Sequence, residues 1–163
     1  MALLFKKPFI FIVTGVIIVV LVIHLSGVFE PRTQPTVIVT PSISPSIIRM
    51  TESANLTSII RNSGQSPYLV EYRILGVFNS HQLIFYDTIS SENLSNPGWN
   101  GENYTIIYPT TWLMNTEEER TISITIEGLD PKVDSATYTI FVEVYADNVL
   151  AERKSIQLTV NRS

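Results

Sequence analysis

The chain of 163 residues has no cysteine. That excludes disulfides, thiolate metal sites and a cysteine nucleophile. A small domain outside the cell must then hold together by packing or assembly. Histidine is almost as scarce: the only two are His24 and His81. Far apart in the chain, they offer no pair for a triad or a zinc site. There is no glycine-rich phosphate loop and no Gly-x-Ser-x-Gly elbow. Glu117-Glu118-Glu119 lacks the spaced oxygen ligands of a calcium loop and reads as a solvated turn. Asp87, Asp130, Asp134 and Asp147 are scattered at turns. These absences predict no catalytic residue, no metal ligand and no cofactor.

Charge is missing from one long stretch. Residues 8–29 contain no Asp, Glu, Lys or Arg, and residues 16–23 are wholly aliphatic. As a helix, about 22 residues rise roughly 33 Å, enough to cross a hydrocarbon core. Lys6 and Lys7 precede the run, so the N-terminus is expected in the cytoplasm and residues from Glu30 outside. A cleaved signal peptide would have a shorter apolar region, about 7–15 residues, and a small-x-small site. Leu25-Ser26-Gly27-Val28-Phe29 matches that site poorly. His24 is expected at headgroup depth. Beyond the anchor the chain carries 11 − 2 = 9 basic against 15 acidic residues, a net of −6. An acidic surface argues against nucleic acid as a partner.

The expected layout is a cytoplasmic N-terminus at 1–7, a transmembrane helix at 8–29, a Pro-rich stalk at 30–45 and an ectodomain at 46–163. Pro31, Pro35, Pro41 and Pro45 forbid a helix in the stalk and favour extended backbone. Val37-Ile38-Val39 interrupts it and reads equally well as spacer or as a first edge strand.

From residue 46 onward the hydrophobic period is two. Ile122, Ile124 and Ile126 alternate with Thr121, Ser123 and Thr125. Tyr138, Ile140, Val142 and Val144 alternate in the same way, as do Ile156, Leu158 and Val160. Further strands are predicted at 46–51, 55–61, 68–78, 83–88 and 104–108, with turn residues between them. Seven or eight short strands predict an all-β, immunoglobulin-like β-sandwich ectodomain behind one N-terminal transmembrane helix. The run from Asp134 through Ala136 to Tyr138 resembles the tyrosine corner of such domains, whose hydroxyl bonds backbone a few residues upstream. Ile140 then stands in a cysteine position, Ile60 in its partner slot, and Tyr72 in place of the buried Trp.

Sequons for N-glycosylation occur at Asn55, Asn93, Asn103 and Asn161. Asn55, Thr57 and Arg61 are expected to face out, with Leu56 and Ile60 facing in. If Tyr72, Ile74, Ile140 and Val142 point inward, the outward set includes Leu75, Val77, Phe141 and Tyr145. That set is too apolar for a face left to water. The next strand, Leu83-Ile84-Phe85-Tyr86, is apolar on both sides and is expected to pair along the edge of the strand at 68–78. The eight residues Leu75, Val77, Leu83, Ile84, Phe85, Tyr86, Phe141 and Tyr145 form the expected interface, a homodimer seam. Cover by the stalk or a loop is the competing explanation. Trp99, on a turn-rich tip, either anchors a partner or folds back.

The paired lysines, apolar anchor, Pro-rich stalk and cysteine-free, sequon-bearing sandwich resemble the archaeal FlaF/FlaG family of archaellum stator proteins. The likeness covers nearly the whole chain as architecture and carries no diagnostic motif. It implies a non-catalytic motility component in the cell membrane, with its sandwich below the S-layer. It also implies S-layer protein and archaellum components as partners, and dimerisation through a strand placed like 83–86. Two other classes fit the same layout: an accessory single-pass subunit of a membrane enzyme or transporter, and a minor pilus or adhesion component. Lys6-Lys7-Pro8 lacks the small residue expected after the basic pair of a pilin processing site.

Overall fold

The computed structural model describes residues 35–76, 82–94 and 111–163, and the backbone of 104–107. The predicted cytoplasmic segment and anchor lie outside the described residues, as do Val77, Trp99 and Asn103. Among the described residues no helix is long and apolar enough to cross a membrane.

The described residues form ten strands: β1 Val37–Ser44, β2 Ile47–Arg49, β3 Ser53–Asn62, β4 Tyr68–Gly76, β5 Leu83–Asp87, β6 Tyr104–Ile107, β7 Trp112–Met114, β8 Glu119–Gly128, β9 Ser135–Ala146 and β10 Val149–Asn161. They make a four-stranded sheet, ordered β1-β3-β8-β5, and a six-stranded sheet, ordered β2-β10-β9-β4-β6 with β7 also on β4. The fold is all-β, a two-sheet sandwich. Alternation drives it. Leu56 and Ile60 on β3 and Ile122, Ile124 and Ile126 on β8 are buried from one sheet. Ile74 on β4 and Ile140, Val142 and Val144 on β9 are buried from the other. Each such side chain contributes about 1.5–3 kcal/mol when fully removed from water.

The sandwich begins earlier than residue 46. Val37–Ser44, inside the range 30–45 expected as a stalk, pairs over its whole length with Asn55–Asn62 of β3. Val37 and Val39 are buried. Pro41 sits in this strand without breaking the ladder. The Val39 N–H points away from β3 and is accepted by the Glu152 carboxylate. By the two-residue alternation of an antiparallel ladder, Pro41 shares that outward position, where no donor is needed. Pro41 and Glu152 together blunt the sheet edge.

The strand at 83–87 departs from expectation. It does not pair with β4; it pairs with β8 in the opposite sheet, Leu83 against Gly128 and Asp87 against Ile124. Its double apolarity has a simple cause. Leu83 and Phe85 enter the core, while Ile84 and Tyr86 stay half-buried on the outer face.

The tyrosine corner also differs. The Tyr138 ring is buried, but its hydroxyl has no hydrogen-bond partner among the described residues. The Asp134 carbonyl upstream is bonded instead by the Arg162 amide at 2.9 Å. Burial, then the nearby Asp130 charge, pushes the Tyr138 phenol up.

One end of the sandwich is tied by Asn62, which is fully buried. Its Nδ2 faces the carbonyls of Ser66, Met114 and Asn115 at 2.8, 3.3 and 3.1 Å, and its Oδ1 accepts the Gly64 N–H at 2.9 Å. Both polar atoms of this amide have partners, as burial requires.

Candidate functional site

Strands β4 and β9 pair at the centre of the six-stranded sheet, opposite the sheet that holds β3. With Tyr72, Ile74, Ile140 and Val142 buried, the odd-numbered residues of both strands face outward. Register then sets three rows: Glu71 beside Tyr145, Arg73 beside Glu143, and Leu75 beside Phe141. On the far side of β9, β10 adds Leu150 beside Tyr145, Arg153 beside Glu143 and Ser155 beside Phe141.

These side chains interlock. Glu143 faces outward yet is only 4% exposed. Its carboxylate takes Arg153 Nε at 3.0 Å and the Tyr145 hydroxyl at 2.9 Å. Arg73 bonds Glu71 twice, at 2.9 and 3.1 Å, and lies 4.0 Å from the Tyr145 ring centre. Arg153 lies 4.8 Å from the centre of Phe141. Two guanidinium planes therefore roof two aromatic rings. Burial pushes the Tyr145 phenol up, and its bond to Glu143 adds to the shift. The bond to Glu71 raises Arg73 further.

Beside this mesh lies an apolar shoulder. Leu69 pairs with Leu113 of β7, and Leu150 flanks Tyr145. Their exposures are 47, 57 and 43%. These exposed leucines adjoin aromatic and arginine side chains, residue types enriched at protein interfaces.

The eight residues expected as one interface are thus divided. Leu75, Phe141 and Tyr145 share the outer face of the six-stranded sheet. Leu83 and Phe85 are core residues and leave the surface altogether. Ile84 and Tyr86 belong to the outer face of the four-stranded sheet. Val77 lies outside the described residues. Leu69, Leu113, Leu150 and Arg153 were missed. The outward parity shared by Leu69, Glu71 and Arg73 was the available signal for the first.

Among the sequons, Asn55 and Asn93 are exposed. Asn161 ends β10, and its Oδ1 accepts the Ser135 hydroxyl at 2.8 Å. In the glutamate run, Glu117 pairs with Arg61, and Glu118 accepts the Asn115 amide and pairs with Arg120 at 2.7 Å. Among the described residues, no three His, Asp or Glu side chains stand close enough together to hold a metal ion.

No protein-family model matches the chain, and no curated protein matches it significantly. Solved structures resemble it in fold. AvmM, which catalyses macrocyclization in alchivemycin A biosynthesis, superposes with a TM-score of 0.57 at 10% identity, over 79% of this chain and 90% of that one. Salmonella alpha-2-macroglobulin gives 0.52 at 13% identity, over 78% of this chain and 7% of that one. The sporulation control protein Spo0M of Bacillus subtilis gives 0.51 at 11% identity, over 78% and 50%. At such identities the likeness extends to the fold alone.

Proposed function

We propose that this chain is a non-catalytic, membrane-anchored binding protein. Its immunoglobulin-like sandwich grips a protein partner through the outer face of the six-stranded sheet. One observation carries this: Leu69, Leu113 and Leu150, each more than two-fifths exposed, adjoin the Tyr145 and Phe141 mesh. The immunoglobulin-like assignment is supported by the β4–β9 pair at the sheet centre and the parallel β2–β10 pair at its edge. The burial of Ile60, Tyr72 and Ile140 also supports it.

The first occupant of the face is a second copy of this chain. Residues beyond the anchor carry a net charge of −6, so most faces of two copies repel. On this face Glu71 and Glu143 are balanced by Arg73 and Arg153. Two copies meet there without net charge, and the leucines and rings supply apolar area. A dimer doubles the attachment points and raises avidity for a repetitive target. Together with the apolar segment 8–29, this suits the archaellum stator role that the FlaF/FlaG likeness implies. An anchored dimer outside the membrane holds the S-layer while the filament turns.

Sedimentation of the full chain in mild detergent tests the seam, with a dimer expected. Leu69→Lys combined with Leu150→Lys should give monomers, whereas Ile84→Lys, on the other sheet, should leave the dimer intact. The reverse pattern would sink the proposed seam. Retention of S-layer protein from cell-envelope extract by the wild-type chain tests the stator role separately.

A further inference from the structure

The outer face of the four-stranded sheet has a different chemistry. Asn55 of β3 pairs with Thr125 of β8, Thr125 with Tyr86 of β5, and Tyr86 bridges to Asn93. Two sequons far apart in sequence therefore stand in one row on one sheet. Neighbouring strands lie about 4.8 Å apart, so three steps separate the two asparagines by about 14 Å. Directly opposed residues project to the same face. Asn55 and Asn93 are both exposed.

We propose that Asn55 and Asn93 carry N-linked glycans that stand side by side and mask this face, leaving the six-stranded sheet as the bare one. This rests on the reading that the sandwich lies outside the membrane. Three features favour the modification. The Asn55 Oδ1 is held by the Thr125 hydroxyl at 3.3 Å, and its Nδ2 bonds nothing among the described residues. Thr57, the hydroxyl residue of the same sequon, projects to the same side two residues on. Ser44 and Thr125 flank Asn55 in its row, and Ser42, Thr57 and Ser123 make the next one. Around Asn55 this floor is short, uncharged and hydroxyl-bearing, with partners for a sugar's hydroxyls.

The donor is a lipid-linked oligosaccharide carried on phosphate, used by the host's oligosaccharide transferase. The asparagine Nδ2 attacks the anomeric carbon. A C–N bond forms, the C–O bond to the lipid phosphate breaks, that phosphate leaves with the electron pair, and the amide nitrogen loses one proton.

Translation of the full chain in the presence of microsomes, followed by glycopeptide mass spectrometry, tests this. Occupancy at both Asn55 and Asn93 is expected. Asn55→Gln and Asn93→Gln should each remove one step of gel mobility. Thr57→Val should remove the Asn55 step and Thr57→Ser should keep it. Protease protection of the sandwich, read in the same sample, separates the two ways of failing. A protected sandwich with either asparagine bare overturns the glycan proposal alone. A sandwich digested from the outside of the microsomes overturns the membrane topology, and the glycan proposal with it.

Discussion

The Tyr72 hydroxyl and Ser58 Oγ are 2.9 Å apart, buried between the two sheets. Tyr72 comes from β4 of one sheet and Ser58 from β3 of the other, so a polar contact bridges the two sheets within the core. Ser58→Ala removes this bridge and should cost about 0.5–1.5 kcal/mol. The double variant Ser58→Ala with Tyr72→Phe should cost less than the sum of the single changes, because both single changes remove the same bond. Denaturant unfolding of all four proteins measures the coupling; strict additivity would refute it.

Asn62 presents a second buried polar knot. Asn62→Asp replaces the donor group facing three carbonyls with an acceptor and buries a charge beside them. It should destabilise by about 3 kcal/mol or more, exceeding Asn62→Ala. An aspartate variant no worse than the alanine variant would show that the three carbonyls do not all depend on Nδ2.

Gly128 closes β8 where the two sheets come together. A Cβ there would stand 2.9 Å from Val160 Cγ1 and 3.0 Å from Ile48 Cδ1. Both neighbours are fully packed. Gly128→Ala should therefore cost about 1–3 kcal/mol through overpacking. Pairing it with Val160→Ala should recover part of the loss, read as a rise in the unfolding midpoint.

Alkaline and acid limbs of stability have separate causes. Burial raises the phenols of Tyr86, Tyr138 and Tyr145 above the ordinary 10.0, with Glu127, Asp130 and Glu143 adding to it. A raised folded value means the folded chain holds protons that the unfolded chain has released. Their contribution is whole below about pH 10 and is lost as pH rises through the folded values. Glu118 goes the other way, held below 4.5 first by the Asn115 amide and then by Arg120. Its contribution is whole above the ordinary value and is lost as pH falls through the folded one. Tyr145→Phe should flatten the alkaline limb, and Glu118→Gln the acid limb. Unchanged limbs in pH-dependent unfolding would rule these groups out as the source.

Most strands were legible because alternation is a local property. Ile122, Ile124 and Ile126 announce a half-buried strand without any knowledge of what covers them. The burial of Ile60, Tyr72 and Ile140 followed from the same parity. β7 was missed because Trp112-Leu113-Met114 is too short to show a period. The candidate face was half legible. Parity placed Leu75, Phe141 and Tyr145 outward, but the guanidinium roof over the rings depends on β10 lying beside β9. The apolar shoulder depends on β7 pairing with β4.

By itself the sequence determined the apolar segment at 8–29, the lack of thiol chemistry and the inward sense of Leu56, Ile60, Tyr72, Ile74, Ile140 and Val142. Each follows from composition or from neighbours a few positions away. Only the tertiary structure decided that β5 joins β8, that β1 extends the sandwich into the Pro-rich segment, and that Asn55 and Asn93 share a row. Those outcomes are set by hydrogen bonds between strands distant in the chain, and alternation within a strand carries no information about which strand will lie beside it.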